Sequence, residues 1–416
     1  MASEPDVLII GAGLAGLACG RELARRGLSF RILEASDAVG GRVRTDIVDG
    51  FRLDRGFQIY LAAYPEGQRV LDRTALELKP FVRGALVRFR GRFHRVADPR
   101  SEPLGAAWSL FNPIGSPSDK IKLLALYRQL RAEAPSVPRH DCSTRERLQQ
   151  AGFSEPFIDR LFRPFFSGVF LEPDLATSAR FFHFLFPLFA AGPGVVPSRG
   201  MQAIPEQLAA ALPADCILFR HPVEAIRDNR IILASGEELS AQAIVVATEG
   251  PTAARLLGGL IPTPACHGTV TVYYAAEEPP LREPILVLNG DGGGPVNNLT
   301  VMSNAAPSYA PPGQALIAVS VVGIPPENDS ELDGRIREQL VQWYGSTVNR
   351  WKSLRTYRIP HALPAQPPGS LDPWQRPVRV QPGLYVCGDH RDNASIDGAL
   401  TSGRRAAEAV AADLGR

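Results

Sequence analysis

The first regular pattern in the chain is an unbroken apolar run, Val7 to Ile10, of the kind buried on both faces of a sheet. From about Gly13 to Arg26 the apolar positions change to helical spacing, with Leu14, Leu17 and Leu23 facing inward. Gly27 stands where a helix C-terminus is usually closed. A second strand, Ser29 to Leu33, follows. Residues 83–96 read as a hairpin turning at Arg90-Gly91. Ser118 to Ala134 and Ser143 to Gln150 have helical spacing, with a proline-rich link over 135–140 between them. Gly200 to Leu212 reads as a helix, and His221 to Ile226, Arg230 to Leu233 and Ala243 to Ala247 as three strands. Residues 269–274, 285–288 and 315–322 read as strands of a further sheet, and Ser330 to Tyr344 fits a helix. Residues 360–377 are too rich in proline to be regular. Leu384 to Cys387 is a last strand, before a loop and a helix beginning near Asp397.

With 416 residues the chain can form two domains and a substantial core. Its 45% hydrophobic and 21% charged residues are those of a soluble globular protein, and a formal charge of +2 gives no reason to expect nucleic acid. Five scattered cysteines without a C-x-x-C suggest reduced thiols, a cytosolic (cytoplasmic) protein and no structural metal. The first residues do not read as a signal peptide, and no run of about 18 apolar residues suggests a membrane span. There is no H-E-x-x-H and no G-x-S-x-G, which leaves hydrolase chemistry without support. The glycine run 290–294 lacks the G-K-[ST] of a phosphate loop and reads as a hairpin loop.

Gly11, Gly13 and Gly16 stand between the first strand and the first helix with G-x-G-x-x-G spacing. The first serves a tight turn, the second lets a pyrophosphate approach the backbone, and the third lets helix and strand pack closely. Leu14 and Ala15 belong to the same turn. Glu34, followed by Ala35, ends the second strand about twenty residues on, where a carboxylate takes both hydroxyls of an adenosine ribose and repels a 2′-phosphate. Gly40-Gly41-Arg42 comes next: two glycines expose consecutive N–H groups, and the arginine can pair with a phosphate bidentately.

With that glycine pair and arginine the chain resembles the GGR-type flavoproteins: flavin amine oxidases, protoporphyrinogen oxidases and phytoene-type desaturases. The resemblance returns near the C-terminus in Leu384 to Val410, so it spans most of the chain. It implies non-covalent FAD, because Cys387 is not where covalently attached members place their cysteine. The implied fold is α/β: a Rossmann-like FAD-binding domain over 1–78, 196–256 and 378–416. An α+β substrate domain with a mixed or antiparallel sheet would cover 79–195 and 257–377. It places Gly56, Phe57 and Gln58 near the flavin ring and the Val223 backbone at the adenine. Asp389, after Gly388, would accept hydrogen bonds from ribityl hydroxyls, and the Ser395–Gly398 backbone, including Ile396, would face the flavin N1–C2=O edge. A helix N-terminus there stabilises the anionic reduced flavin by roughly 0.3–1 kcal/mol or more when buried.

The flavin would take a hydride at N5 from a substrate C–H, with oxygen or a quinone as electron acceptor. The lysine that amine oxidases hold near N5 would fall near Thr269, where none is present, and the loop after Gly388 lacks their aromatic pair. The leading expectation is therefore an oxidase or desaturase of a hydrophobic substrate, an isoprenoid, carotenoid or tetrapyrrole. A flavin amine oxidase releasing hydrogen peroxide and a non-catalytic flavoprotein or lipid-binding chaperone are the alternatives. Ten of the 19 phenylalanines lie between 157 and 189. They could line a substrate cavity, make a short helix that dips into a membrane face, or form a packed core. Peripheral membrane contact is thus one expectation. The hairpin arginines are either a solvated face or a contact for anionic lipid or an acidic substrate. No general base is assigned; His183, Tyr273 and His361 are the polar candidates.

Overall fold

The computed structural model describes residues 4–98, 102, 112–132 and 141–416. In chain order the elements that build and frame the site are β1 (Val7–Ile10), α1 (Leu14–Arg25), β2 (Phe30–Leu33), α2 (Pro65–Val70), β3 (Gly84–Phe89), β4 (Arg92–Ala97), α3 (Pro117–Ala132) and α4 (Thr144–Gln150). Then come α5 (Arg163–Phe170), α6 (Ala179–Ala191), β5 (Ile217–Leu218), β6 (Ala243–Val246), β7 (Cys266–Ala276), β8 (Leu286–Asn289), β9 (Asn298–Val301) and β10 (Ala315–Val322). The last are α7 (Asp329–Tyr344), β11 (Lys352–Pro364), β12 (Arg379–Gln381), β13 (Leu384–Val386) and α8 (Ile396–Asp413).

The first sheet runs β5-β2-β1-β6-β13-β12, parallel throughout except for the edge pair β12·β13. Every residue of β1 and β6 is buried, which is why both read as continuous apolar runs. Helix α8 lies against α1 at Gly403, where a Cβ would come within 2.1 Å of the Ala15 carbonyl oxygen. Val223–Arg227, Arg230–Leu233 and Glu238–Ser240 form a separate three-stranded antiparallel sheet.

The second sheet runs β11-β7-β10-β9-β8-β3-β4 and is mixed, antiparallel except for β8·β3. One face (Val270, Val272, Tyr274, Val319, Val321) packs on Leu332, Ile336 and Leu340 of α7. The other (Tyr273, Leu288, Leu316, Ala318) joins the core that contains the phenylalanines of α5 and α6. The architecture is thus α/β with a parallel sheet, plus an α+β part built on a mixed sheet, as the resemblance implies.

Most expected elements are present within a few residues. The β3–β4 hairpin turns at Arg90 and Gly91, both left-handed (φ 51° and 73°), the geometry of a two-residue hairpin turn. Ala134 and the link 135–140 lie outside the described residues. One expectation fails in part: residues 360–364 are not irregular but end the 13-residue strand β11. Pro360 and Pro364 are tolerated because β11 is the edge of the sheet, where a missing N–H donor leaves no partner unpaired. Among the described residues no helix is long and apolar enough to cross a membrane, and no group of His, Cys, Asp and Glu could hold a metal ion.

Candidate active site

At the C-terminal end of β1 the backbone itself makes the first half of the site. Gly11 is left-handed (φ 103°), and a Cβ on Gly16 would meet the Gly11 carbonyl oxygen at 2.0 Å. Gly13 is the N-cap of α1; a Cβ there would meet nothing within 4 Å. No side chain caps this helix and its first turn has no acidic residue, so its free N–H groups and partial positive charge face open space. Leu14 and Ala15 begin the helix, both buried. The second glycine turn closes over the first: the Gly40 N–H donates to the Ala12 carbonyl at 2.9 Å, and Gly40 and Gly41 take φ of 122° and 59°.

Glu34 is 8% exposed. One oxygen accepts from the Ala12 N–H at 2.7 Å, the other from the N–H and hydroxyl of Ser36 at 2.9 and 2.7 Å. The oxygen that accepts from Ala12 keeps a lone pair for a further donor. Ala35 is exposed beside it, and the His221 N–H donates to the Glu34 carbonyl, which brings the strand starting at Val223 alongside.

Two distant segments meet at Arg42. Its guanidinium donates to Asp389 at 2.8 Å and to the Ala362 carbonyl at 2.7 Å, so the partner the structure gives this arginine is a carboxylate, where the sequence suggests a phosphate. Asp389 is buried, whereas about a third of the Arg42 side chain is exposed. Asp389 follows Gly388 (φ 146°) at the end of β13. The Gln58 amide donates to the Arg42 carbonyl at 2.9 Å, and Gly56 (φ 92°) lies against Ile359. Phe57 donates its N–H to the Thr271 hydroxyl at 3.0 Å, tying this segment to β7. At the start of α8 the Ser395 hydroxyl accepts from the Gly398 N–H, and Ile396 is half-buried beside it. Asp397 turns away, capping α2 by accepting from the N–H groups of Glu66 and Gly67; burial pushes its pKa up to about 6.

Sequence reasoning misses three groups here. The Tyr64 hydroxyl is buried close to Ser395, and its ring stacks on Phe184 of α6 at 6.4 Å. His390 is 3% exposed with neither ring nitrogen hydrogen-bonded, and burial pushes its pKa down to about 4, so the imidazole is neutral. Asp54 is fully buried; it accepts from the Thr45 and Tyr309 hydroxyls and the Met201 N–H, and burial pushes its pKa up to about 6 against those hydrogen bonds. Tyr64 and His390 stand in no motif, and Asp54 opens the Asp54-Arg55-Gly56 stretch that the family resemblance sets under the flavin ring without giving the acid a role; only the fold brings their partners to them.

The polar candidates are placed as follows. His183 accepts from the Arg147 side chain at 3.0 Å, the Tyr273 hydroxyl donates to the Asp54 carbonyl at 2.9 Å, and His361 is exposed on β11. Thr269 is buried and donates its hydroxyl to the Val321 carbonyl. The phenylalanines of 157–189 divide. Phe157, Phe162, Phe166, Phe170, Phe181 and Phe182 are buried in one another's edges, while Phe165, Phe184, Phe186 and Phe189 are half-buried.

A family model described as "Flavin containing amine oxidoreductase" matches residues 14–411. The chain belongs to the flavin-containing amine oxidoreductase family. It is an FAD-dependent oxidoreductase, and FAD is its cofactor. Over 284 residues it is 27% identical to the zeta-carotene-forming phytoene desaturase of Myxococcus xanthus, covering 59% of this chain and 54% of the desaturase. Over 76 residues it is 41% identical to the putrescine oxidase of Kocuria rosea, covering 18% of this chain and 16% of the oxidase. The matched stretches thus span little more than half, or far less, of these relatives. In fold it is similar to a candidate protoporphyrinogen oxidase from Exiguobacterium sp. 255-15, with TM-score 0.77, 20% identity and all of both chains covered. The residues present fit the family's cofactor: an uncapped helix N-terminus over open space, a buried acid with spare acceptor capacity, and an Arg–Asp pair beside an unpartnered neutral imidazole.

Proposed function

We propose that the chain binds FAD non-covalently along Gly11, Gly13, Leu14, Ala15 and Gly16, with Glu34 and Ala35 at the adenosine ribose and Val223 at the adenine. Gly41, Arg42, Gly388 and Asp389 bracket the pyrophosphate and ribityl chain, and Gly56, Phe57, Gln58, Ser395 and Ile396 flank the ring. The first sheet and α8 would make the FAD domain (1–78, 196–256 and 378–416), and the second sheet and α3–α7 the substrate domain (79–195 and 257–377). Cys387 is fully buried and its thiol is pushed up by burial, which suits a flavin that is not covalently attached.

The substrate is a large apolar molecule of isoprenoid, carotenoid or tetrapyrrole type, from which bound FAD removes a hydride at a C–H bond. The protein's own part is to orient that bond and exclude water. The half-buried rings of α5 and α6 supply an apolar wall, and Tyr64 links that wall to the N-terminus of α8. The observation that carries this reading is Thr269: the place where amine oxidases hold a lysine carries a short hydroxyl already bonded to the Val321 carbonyl. Amine oxidation is the second reading, favoured by the putrescine oxidase match. Anaerobic titration of the holoprotein, following flavin bleaching, tests both. Protoporphyrinogen or phytoene should bleach the flavin and putrescine or cyclohexylamine should not; bleaching by the amines alone, with peroxide released in air, would reverse the assignment. Re-oxidation of the bleached protein by oxygen or by a soluble quinone then identifies the acceptor.

A further inference from the structure

Strands β7, β10 and β9 carry a polar row across the face that is turned to the phenylalanine core; the nearby Thr269 and Thr300 on this face already donate their hydroxyls to backbone carbonyls. Thr271 is paired with Ser320, and Ser320 with Asn298, in the register of the sheet. The three side chains therefore point the same way, about 5 Å apart from strand to strand. Leu288, Leu316 and Ala318 surround them in the core. Thr271 is engaged by the Phe57 N–H. The other two are not: Ser320 and Asn298 are 8% and 3% exposed, and the Ser320 hydroxyl and the Asn298 Oδ1 have no hydrogen-bond partner. Buried polar atoms are nearly always paired with protein, water or ligand, so two orphans in one row call for an explanation.

Helix α5 covers this row, and the turn before it is irregular. A π-helical turn, Ile158–Phe162, runs into α5, and such turns occur frequently at functional sites. Gly168 of α5 sits directly on the row; a Cβ there would stand 2.7 Å from Asn298 Nδ2. The neighbouring Asn297 is committed to holding α5, donating to the Pro164 carbonyl at 3.0 Å. Asn298 is left over.

We propose that Ser320 and Asn298 form a polar anchoring subsite that receives a neutral O–H or N–H donor carried by an otherwise apolar substrate. This rests on the apolar-substrate reading above and narrows it. An amide oxygen only accepts, whereas a serine hydroxyl accepts and donates, so the pair suits an alcohol or a pyrrole-type N–H. Neither atom is paired with a carboxylate, so an ammonium group would be buried there without counter-charge. A pure hydrocarbon would leave both atoms unmet. The subsite begins one strand from Thr271, which sets the anchored group about 5–10 Å from the Phe57 backbone.

The test is calorimetric titration of the holoprotein with farnesol, farnesene and farnesylamine from one micellar stock, in wild type, Ser320→Ala and Asn298→Leu. The wild type should bind farnesol about ten-fold tighter than farnesene or farnesylamine. Each variant should lose most of that preference while farnesene affinity stays within about two-fold. Ser320→Ala removes a single oxygen, and unchanged flavin content and visible spectrum certify its fold. A preference for farnesol that survives both variants, a wild type that binds farnesol and farnesene equally, or one that binds farnesylamine best overturns the subsite while leaving the apolar-substrate reading standing. A wild type that binds none of the three overturns that reading, and the subsite with it.

Discussion

The two sheets handle backbone and polar groups in opposite ways. Around β1 and α1 the work is done by main chain: glycines at 11, 13, 16, 40 and 41 bring N–H groups to one open space, and the buried acid Glu34 accepts backbone N–H groups at both of its oxygens. Across β7, β10 and β9 the backbone is committed to the sheet ladders, and side chains are left with unmet capacity. The difference follows from what each half serves. A cofactor common to a family can be gripped by backbone geometry, which any sequence with the right glycines supplies. A substrate particular to one member must be read by side chains, and these change from one chain to the next.

The comparison can be broken at its stiffest point first. Gly16→Val drives a Cβ into the Gly11 carbonyl oxygen, so the expected outcome is a chain that purifies without flavin, or not at all. Normal yellow protein would remove the steric basis of the site. Next in size, Phe166→Ala empties a position ringed by Phe162, Phe165, Phe170, Phe182 and Phe186, and should cost about 3–5 kcal/mol in chemical denaturation while flavin remains bound. Phe189→Ala, at a half-buried ring, should cost markedly less stability and more substrate affinity. Equal costs at the two positions would mean that the segment is core alone.

Asp54 gives a prediction with a sign. Its pKa is raised in the folded chain from 3.8 to about 6, so folding favours its protonated form. That contribution is complete below about pH 4 and is lost as pH rises through about 6. Measured against wild type, the stability of Asp54→Asn should therefore improve by up to about 3 kcal/mol between pH 4 and 6.5. A difference that stays flat, or falls, would show that the carboxylate is ionised throughout. Smaller again is Arg42→Ala, which leaves Asp389 without its charged partner and should weaken FAD binding by about 2 kcal/mol, roughly thirty-fold in Kd, in titrations of the apoprotein.

The same contrast decides how much is legible in the chain before it folds. The glycine spacings, Glu34 and the segment around Asp389 can be read because their duties are local: a left-handed φ, a close approach, a strand end. The parallel sheet is readable for a related reason, since β1 and β6 are buried on both faces. What cannot be read depends on partners far away in sequence. Arg42 meets Asp389 and Ala362 through loops hundreds of residues apart, and nothing near Arg42 distinguishes a phosphate partner from a carboxylate. Ser320 and Asn298 are orphans only because of the register of β10 and β9 and of what α5 lays over them. β11 was obscured by its prolines, which forbid a central strand but not an edge. The phenylalanine segment shows its apolar character in the sequence, yet which rings are buried and which are half-exposed is fixed by α5 and α6 packing against each other.

The most direct test of the whole account is the visible spectrum of the purified protein before and after acid precipitation. One FAD per chain, released entirely into the supernatant, is the predicted result. A colourless protein that takes up no added FAD, or colour that stays with the precipitated chain, would contradict it.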